Sequence, residues 1–253
     1  MSQTLACLRY FLIGGAIILG ICGIIESICA GYFMYQLYEY SVLTPNDVCG
    51  PTIMLLASGL IMSLIAWCAW QFITFAETGQ IIIFSLALTI LTILNTSAGI
   101  WALVRHEQMD VLPRTQLEQV FDLAVSDDKS LWDAMHSKLH CCGVNGAEDY
   151  RGQDAIPWSC CNTETPESSS GACTLYARGC HHVVINRTRS TLLHIFLLAL
   201  CTVLLQVCFI MCMTCYARAC RDRAKRNKDV RIATQALTQE SKRRETSERF
   251  LNA

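Results

Sequence analysis

Four apolar runs, at 11–35, 52–75, 81–104 and 192–216, constrain this chain more than any other feature. Each is long enough to cross the hydrocarbon core of a bilayer, which takes about 20 helical residues. Inside lipid no water satisfies backbone N–H and C=O groups, so a spanning segment of this kind has to be a helix. The fold class that follows is an all-α membrane protein built on a four-transmembrane-helix bundle. Composition agrees: 53% of the 253 residues are hydrophobic and 16% are charged, against about 25% charged in soluble proteins. The first run is too long for a cleaved signal peptide and its small-residue cleavage pattern is poor, so it reads as an uncleaved span.

Basic residues set the expected orientation. Arg218, Arg221, Arg223, Lys225, Arg226 and Lys228 cluster just past the fourth run, which places the C-terminus in the cytoplasm. Residues 217–253 carry 11 Lys+Arg against 5 Asp+Glu, whereas residues 105–190 carry 8 against 12. A basic tail can bind nucleic acid, but one that directly follows a span is explained by the positive-inside effect. Four spans then leave both termini cytoplasmic, with segments 1–10, 76–80 and 217–253 inside and segments 36–51 and 105–191 outside.

The larger outer segment holds Cys141, Cys142, Cys160, Cys161, Cys173 and Cys180. Six cysteines this dense in a polar stretch read as a disulfide framework, which requires an oxidising space and agrees with the charge argument. Six cysteines allow 15 connectivities, and spacing alone does not choose among them. Ser130 is placed to cap a helix with Leu131, Met135 and Leu139 as its apolar stripe, ending at Cys141-Cys142-Gly143. Leu117, Val120, Phe121 and Ala124 share a face of an earlier helix, which Pro113 kinks or breaks near its start. Residues 145–175 are rich in Gly, Ser, Thr and Pro and read as exposed loop. A last short helix leads from Cys180 into the fourth span. His136 and His140 are four apart, and His181 and His182 adjoin Cys180, but cysteines in disulfides cannot be thiolate ligands. No metal site is expected, and the histidines read as structural.

Within the spans, small residues recur in phase: Gly23, Ser27 and Gly31 with Ala16 and Gly20 in the first, and Ser85, Thr89, Thr92, Thr96 and Gly99 in the third. Such faces let helices approach closely. Glu26, Asn95 and Gln206 are polar side chains at membrane depth. Helix rise puts Glu26 and Asn95 at similar heights, so they could meet, with Gln206 deeper toward the cytoplasmic side. The plainer reading is interhelical hydrogen bonding; the other is a polar-lined pocket between helices that takes a lipid hydroxyl. Cys7, Cys212, Cys215 and Cys220 lie near the cytoplasmic interface and are palmitoylation candidates. Asn186-Arg187-Thr188 is an N-glycosylation sequon on the outer side, only about six residues from the fourth span. The tail reads as solvated and partly disordered, with slight helical character at 232–237 and basic residues able to meet anionic headgroups.

Four spans, a short outer loop, a tiny inner loop and a large outer loop bearing Cys141-Cys142-Gly143 resemble the tetraspanins. Trp132-Asp133, Asn145-Gly146, Asp149-Tyr150, Pro157-Trp158-Ser159-Cys160 and Gly179-Cys180 are similar to that family's pattern. The resemblance covers essentially the whole chain. It implies the pairs Cys141–Cys180, Cys142–Cys160 and Cys161–Cys173, and a bundle cavity able to hold cholesterol or another lipid. Glu26 and Gln206 are its nearby candidates, although the family's first span usually carries Asn. No other cofactor is implied. It implies a non-enzymatic scaffold that organises partner membrane proteins through the large loop and the transmembrane faces. The partners implied are integrins, immunoglobulin-superfamily proteins and other tetraspanins, in adhesion, junction, signalling or trafficking complexes. The expected location is the plasma membrane, with endosomal membranes as a second. A channel or transporter would need several intramembrane charges or inverted repeats. A claudin-like barrier protein carries its cysteines in the first outer loop, where this chain has only Cys49. For an enzyme, no Ser/His/Asp set, metal motif or phosphate loop is visible.

Overall fold

The computed structural model describes residues 2–39, 46–75, 78–109, 119, 121, 130–151, 156–162 and 173–251. Helix α1 spans Ser2–Glu39, α2 Gly50–Phe75 and α3 Thr78–Gln108. A short α4, Ser130–Leu139, precedes a two-stranded ribbon, and α5 runs from Cys180 to Leu251. In the ribbon β1, Cys161–Asn162, pairs antiparallel with β2, Thr174–Leu175. Among the described residues four helices, α1, α2, α3 and α5, are long and apolar enough to cross a membrane.

These elements contribute to two compact units. One comprises Met1–Gly23, Ile61–Thr92 and Leu204–Ala253. Its core packs Leu12 and Leu19 of α1, Met62 and Ala66 of α2, Leu88 and Leu91 of α3, and Phe209 and Met213 of α5. Gly15 is small because α5 is close: a Cβ there would lie 2.6 Å from the Phe209 ring. Gln206 is fully buried in this unit, and its Nε2 donates to Met62 Sδ over 3.0 Å.

The second unit comprises Ile24–Leu60 and Ile93–Val203, and holds the cysteine-rich domain. Its membrane portion packs Ala30, Leu55, Ala98, Ala102, Ile195 and Ala199. A Cβ on Gly99 would sit 3.1 Å from that of Ala199, so α3 and α5 touch almost backbone to backbone.

Three readings of the sequence are corrected. The small-residue face expected on α3 is buried only at Gly99: Thr89 and Thr96 are exposed and Ser85 and Thr92 half-buried, whereas Leu88, Leu91, Asn95, Ala98 and Ala102 are buried. Thr89 donates its hydroxyl to the Ser85 carbonyl of its own helix (2.7 Å), so it needs no partner from another helix. The helix beginning at Cys180 is not a short feeder but the start of one continuous rod. The tail, in turn, is helical to Leu251, with residues 221–244 exposed throughout. From Cys180 to Leu251 the sequence contains no Gly and no Pro, so nothing interrupts the hydrogen-bond ladder. Pro113, Leu117, Val120 and Ala124, and most of 152–172, lie outside the described residues.

Candidate functional site

The cysteine-rich domain is built on α4. Its buried stripe includes Trp132 and His136 beside Met135, and so turns further round the helix than Leu131, Met135 and Leu139 alone suggest. Phe121 stands edge-on to Trp132 (centroids 5.0 Å apart) and to Tyr150 (5.3 Å), giving the small core an aromatic centre. The helix ends at His140, whose φ of 52° is left-handed. A non-glycine residue pays roughly 1–2 kcal/mol for that conformation. Tyr176 holds it there, with its hydroxyl 2.8 Å from His140 Nδ1 and its ring edge-on at 5.2 Å.

The structure joins Cys141 to Cys180, Cys142 to Cys160 and Cys161 to Cys173. Backbone pairing reinforces the first link: Cys142 N donates to Arg178 O (3.0 Å), Cys180 N to Gly143 O (3.0 Å) and His181 N to Val144 O (3.1 Å). Two glycines make this approach possible. Gly143 has φ 61°, and a Cβ on it would strike Gly146 O. A Cβ on Gly179 would strike the backbone of Val144 and Asn145. The Cys-Cys-Gly turn and the Gly-Cys start of α5 therefore fit only as glycines.

One polar chain ties these parts together. Ser159 donates its hydroxyl to Asp133 Oδ1 (2.6 Å), and its oxygen lies 3.0 Å from His136 Nδ1. His136 Nε2 accepts the Gly143 N–H over 3.2 Å. An imidazole fills both roles only as the neutral tautomer protonated at Nδ1. His136 is fully buried, and that burial, partly opposed by Asp133, lowers its pKa from 6.5 to about 4. Tyr150 is pushed up to about 12 by burial, helped by Asp133 and Asp149.

Asp133, His136 and Ser159 are thus a Ser/His/Asp grouping that reading along the chain did not reveal, since 26 positions separate its ends. Its order is wrong for nucleophilic catalysis. The serine lies between acid and imidazole and gives its proton to the carboxylate, whereas a catalytic serine faces the imidazole as base. The arrangement instead fastens the turn at Pro157–Cys160 to α4. Beyond it Trp158 projects outward at 79% exposure, with Ile156 and Leu175 also exposed.

The membrane candidates separate. Glu26 Oε1 accepts from Ser58 Oγ at 3.2 Å, a partner on α2 that a single hydroxyl in an apolar run does not announce. Asn95 is fully buried, and among the described residues neither its Nδ2 nor its Oδ1 has a hydrogen-bond partner, nor has Glu26 Oε2. No hydrogen bond joins Glu26 to Asn95 among the described residues. Cys212 and Cys220 are half-buried and Cys215 is exposed, whereas the side chain of Cys7 lies outside the described residues. Asn186 is exposed on α5, while Thr188 of the same sequon is buried. Among the described residues no group of three His, Cys, Asp or Glu side chains could hold a metal ion.

Residues 8–219 match the model of the Tetraspanin family.

Proposed function

We infer that this chain, which belongs to the tetraspanin family, is a multi-pass membrane scaffold that gathers partner membrane proteins laterally. The supporting observation is the contrast within the cysteine-rich domain. A frame of three disulfides and a buried aromatic core presents Trp158, Ile156 and Leu175 outward. Exposed aromatic and aliphatic side chains on a rigid base are the usual anchors of protein interfaces. In this reading the domain faces the outside of the plasma membrane and both termini are cytoplasmic. Partners are integrin- or immunoglobulin-type membrane proteins or other tetraspanins, and endosomal membranes are a second location. Acylation at Cys7, Cys212, Cys215 or Cys220 would bias clustering, and the polar atoms of Asn95 and Glu26 that have no hydrogen-bond partner among the described residues would take the hydroxyl of a sterol or other lipid.

Proximity labelling in native cells tests the scaffold reading, with wild type compared with Trp158→Ala and with a chain whose 145–175 segment is exchanged. Loss of specific neighbours at unchanged surface level is the expected result. An unchanged set of neighbours in both variants would remove partner choice from this loop.

A further inference from the structure

The turn that carries Trp158 is anchored at one end only. Cys160 is buried, bridged to Cys142, and accepts the Tyr176 N–H at its carbonyl over 3.0 Å. Ahead of it Ile156 and Trp158 are exposed, and Pro157 and Ser159 are half-buried. The hydrogen bonds that tie this part to α4 come from Ser159, through Asp133 and His136. Cys160 is therefore placed as a hinge and Ser159 as a latch, and Trp158 at 79% exposure has little packing to lose if the latch opens.

The latch closes over a ring that resists protonation in place. The basic nitrogen of His136, Nε2, faces the Gly143 N–H, and a proton added there would set two donors against each other. The charged and titratable groups described around the ring are Asp133 on α4 and Tyr150 on the turn after it (centroids 6.1 Å apart), with Asp149 behind the tyrosine. Trp132 and the Cys142–Cys160 bridge, whose Cys160 Sγ is 3.7 Å from Nδ1, complete the wall. Tyr150, pushed up to about 12, stays neutral. Asp133 favours a charged ring, but burial outweighs it and holds His136 at about 4. At milder acidity the ring takes up a proton by leaving its pocket, and the turn at 157–160 is the wall that moves with least loss of packing.

With Trp158 as a partner anchor, as inferred above, we propose that this turn is an acid-released latch. His136 turns outward and takes a proton from solvent, Ser159 is freed, and the Trp158 surface swings on Cys160 while all three disulfides stay closed. Histidine switches of this kind suit an outward-facing domain that enters an acidic lumen when its membrane is internalised. Closure is fully favoured above about pH 6.5 and weakens as pH falls toward about 4. With the ring at its ordinary 6.5 when open and about 4 when closed, the open fraction rises about tenfold between pH 7.5 and 5.5. That window lies above the ordinary carboxylate range.

The test is hydrogen exchange of the Gly143 amide, which loses its acceptor when the ring leaves. Full-length protein in maltoside micelles is used, with disulfides intact and each rate divided by the intrinsic rate at that pH. Opening should rise about tenfold from pH 7.5 to 5.5 in wild type. In fluorotryptophan-labelled protein the Trp158 resonance should shift or broaden over the same range. His136→Gln cannot titrate and should change less than about twofold. Ser159→Ala should open about tenfold more than wild type at pH 7.5 already, the scale of one lost hydrogen bond. Disulfide mapping confirms the frame of each variant, and wild type with isotope-labelled histidine gives a readout that needs no variant. Gly143 exchange that does not rise in acid, an equal rise in His136→Gln, or a His136 ring that protonates with Gly143 still protected would each overturn the latch. Proximity labelling at pH 7.5 and 5.5 then reads the consequence. Neighbours lost in acid by wild type and kept by His136→Gln support the gating. Neighbours that wild type keeps in acid, but that Trp158→Ala loses at pH 7.5, overturn it. If Trp158→Ala keeps every neighbour, the anchor reading falls, and the latch stands or falls on the exchange result.

Discussion

Acid should loosen the cysteine-rich domain through one side chain, His136. Its ordinary pKa of 6.5 falls to about 4 in the folded domain, because burial disfavours the charged ring more than nearby Asp133 favours it. Above about pH 6.5 neither folded nor unfolded chain protonates this ring, and its contribution is fully present. Between about 6.5 and 4 the unfolded chain takes up a proton that the folded one refuses, so stability falls as pH falls. Below about 4 the loss is complete. A displacement of this size is worth about 3 kcal/mol, at about 1.4 kcal/mol per pKa unit. That is a large part of the margin of a small domain. The assay is chemical unfolding of the full chain in micelles with disulfides intact, followed by Trp132 fluorescence from pH 7.5 to 4. His136→Gln keeps an acceptor and a donor but cannot titrate. It should be weaker at neutral pH by about 1–2 kcal/mol, yet lose less on acidification, so that the two curves converge. Carboxylates titrate in both proteins, so the difference between them isolates the histidine. Parallel curves for the two proteins would refute the neutral, doubly bonded imidazole.

Other substitutions probe other parts of the structure. Gly143→Ala and Gly179→Ala each force a Cβ into backbone atoms, and disulfide mapping should find scrambled or reduced cysteines in place of the three native pairs. Ser159→Ala leaves Asp133 Oδ1 and His136 Nδ1 without their shared hydroxyl, and should lower the unfolding free energy by about 1–3 kcal/mol in the same assay. Asn95→Leu replaces a buried amide that has no hydrogen-bond partner among the described residues and should raise thermal stability in sterol-free micelles, by about 1–2 kcal/mol. If Asn95 serves a lipid hydroxyl, the same variant loses the stabilisation that added cholesterol gives the wild type. Ala236→Pro should cost the exposed end of α5 much of its helical circular dichroism while leaving the disulfide pattern unchanged, because residues 221–244 are exposed throughout.

The sequence alone determined the class of architecture. Four runs of apolar residues have one solution in lipid, since every backbone group must be satisfied within its own segment. Six cysteines in a polar stretch called for a cross-linked domain. What only the tertiary structure decided is which groups face each other. Spacing left the cysteines with many pairings, and approach of the Cys-Cys-Gly turn to Gly179 selects among them. Small residues in phase on α3 pointed to a face that is buried only at Gly99, against Ala199, while Thr89, which bonds its own helix, is exposed. Ser58 beneath Glu26, and Ser159 between Asp133 and His136, carried no local signal at all. A hydroxyl is common in any helix or loop, and only packing from distant segments gives it a role.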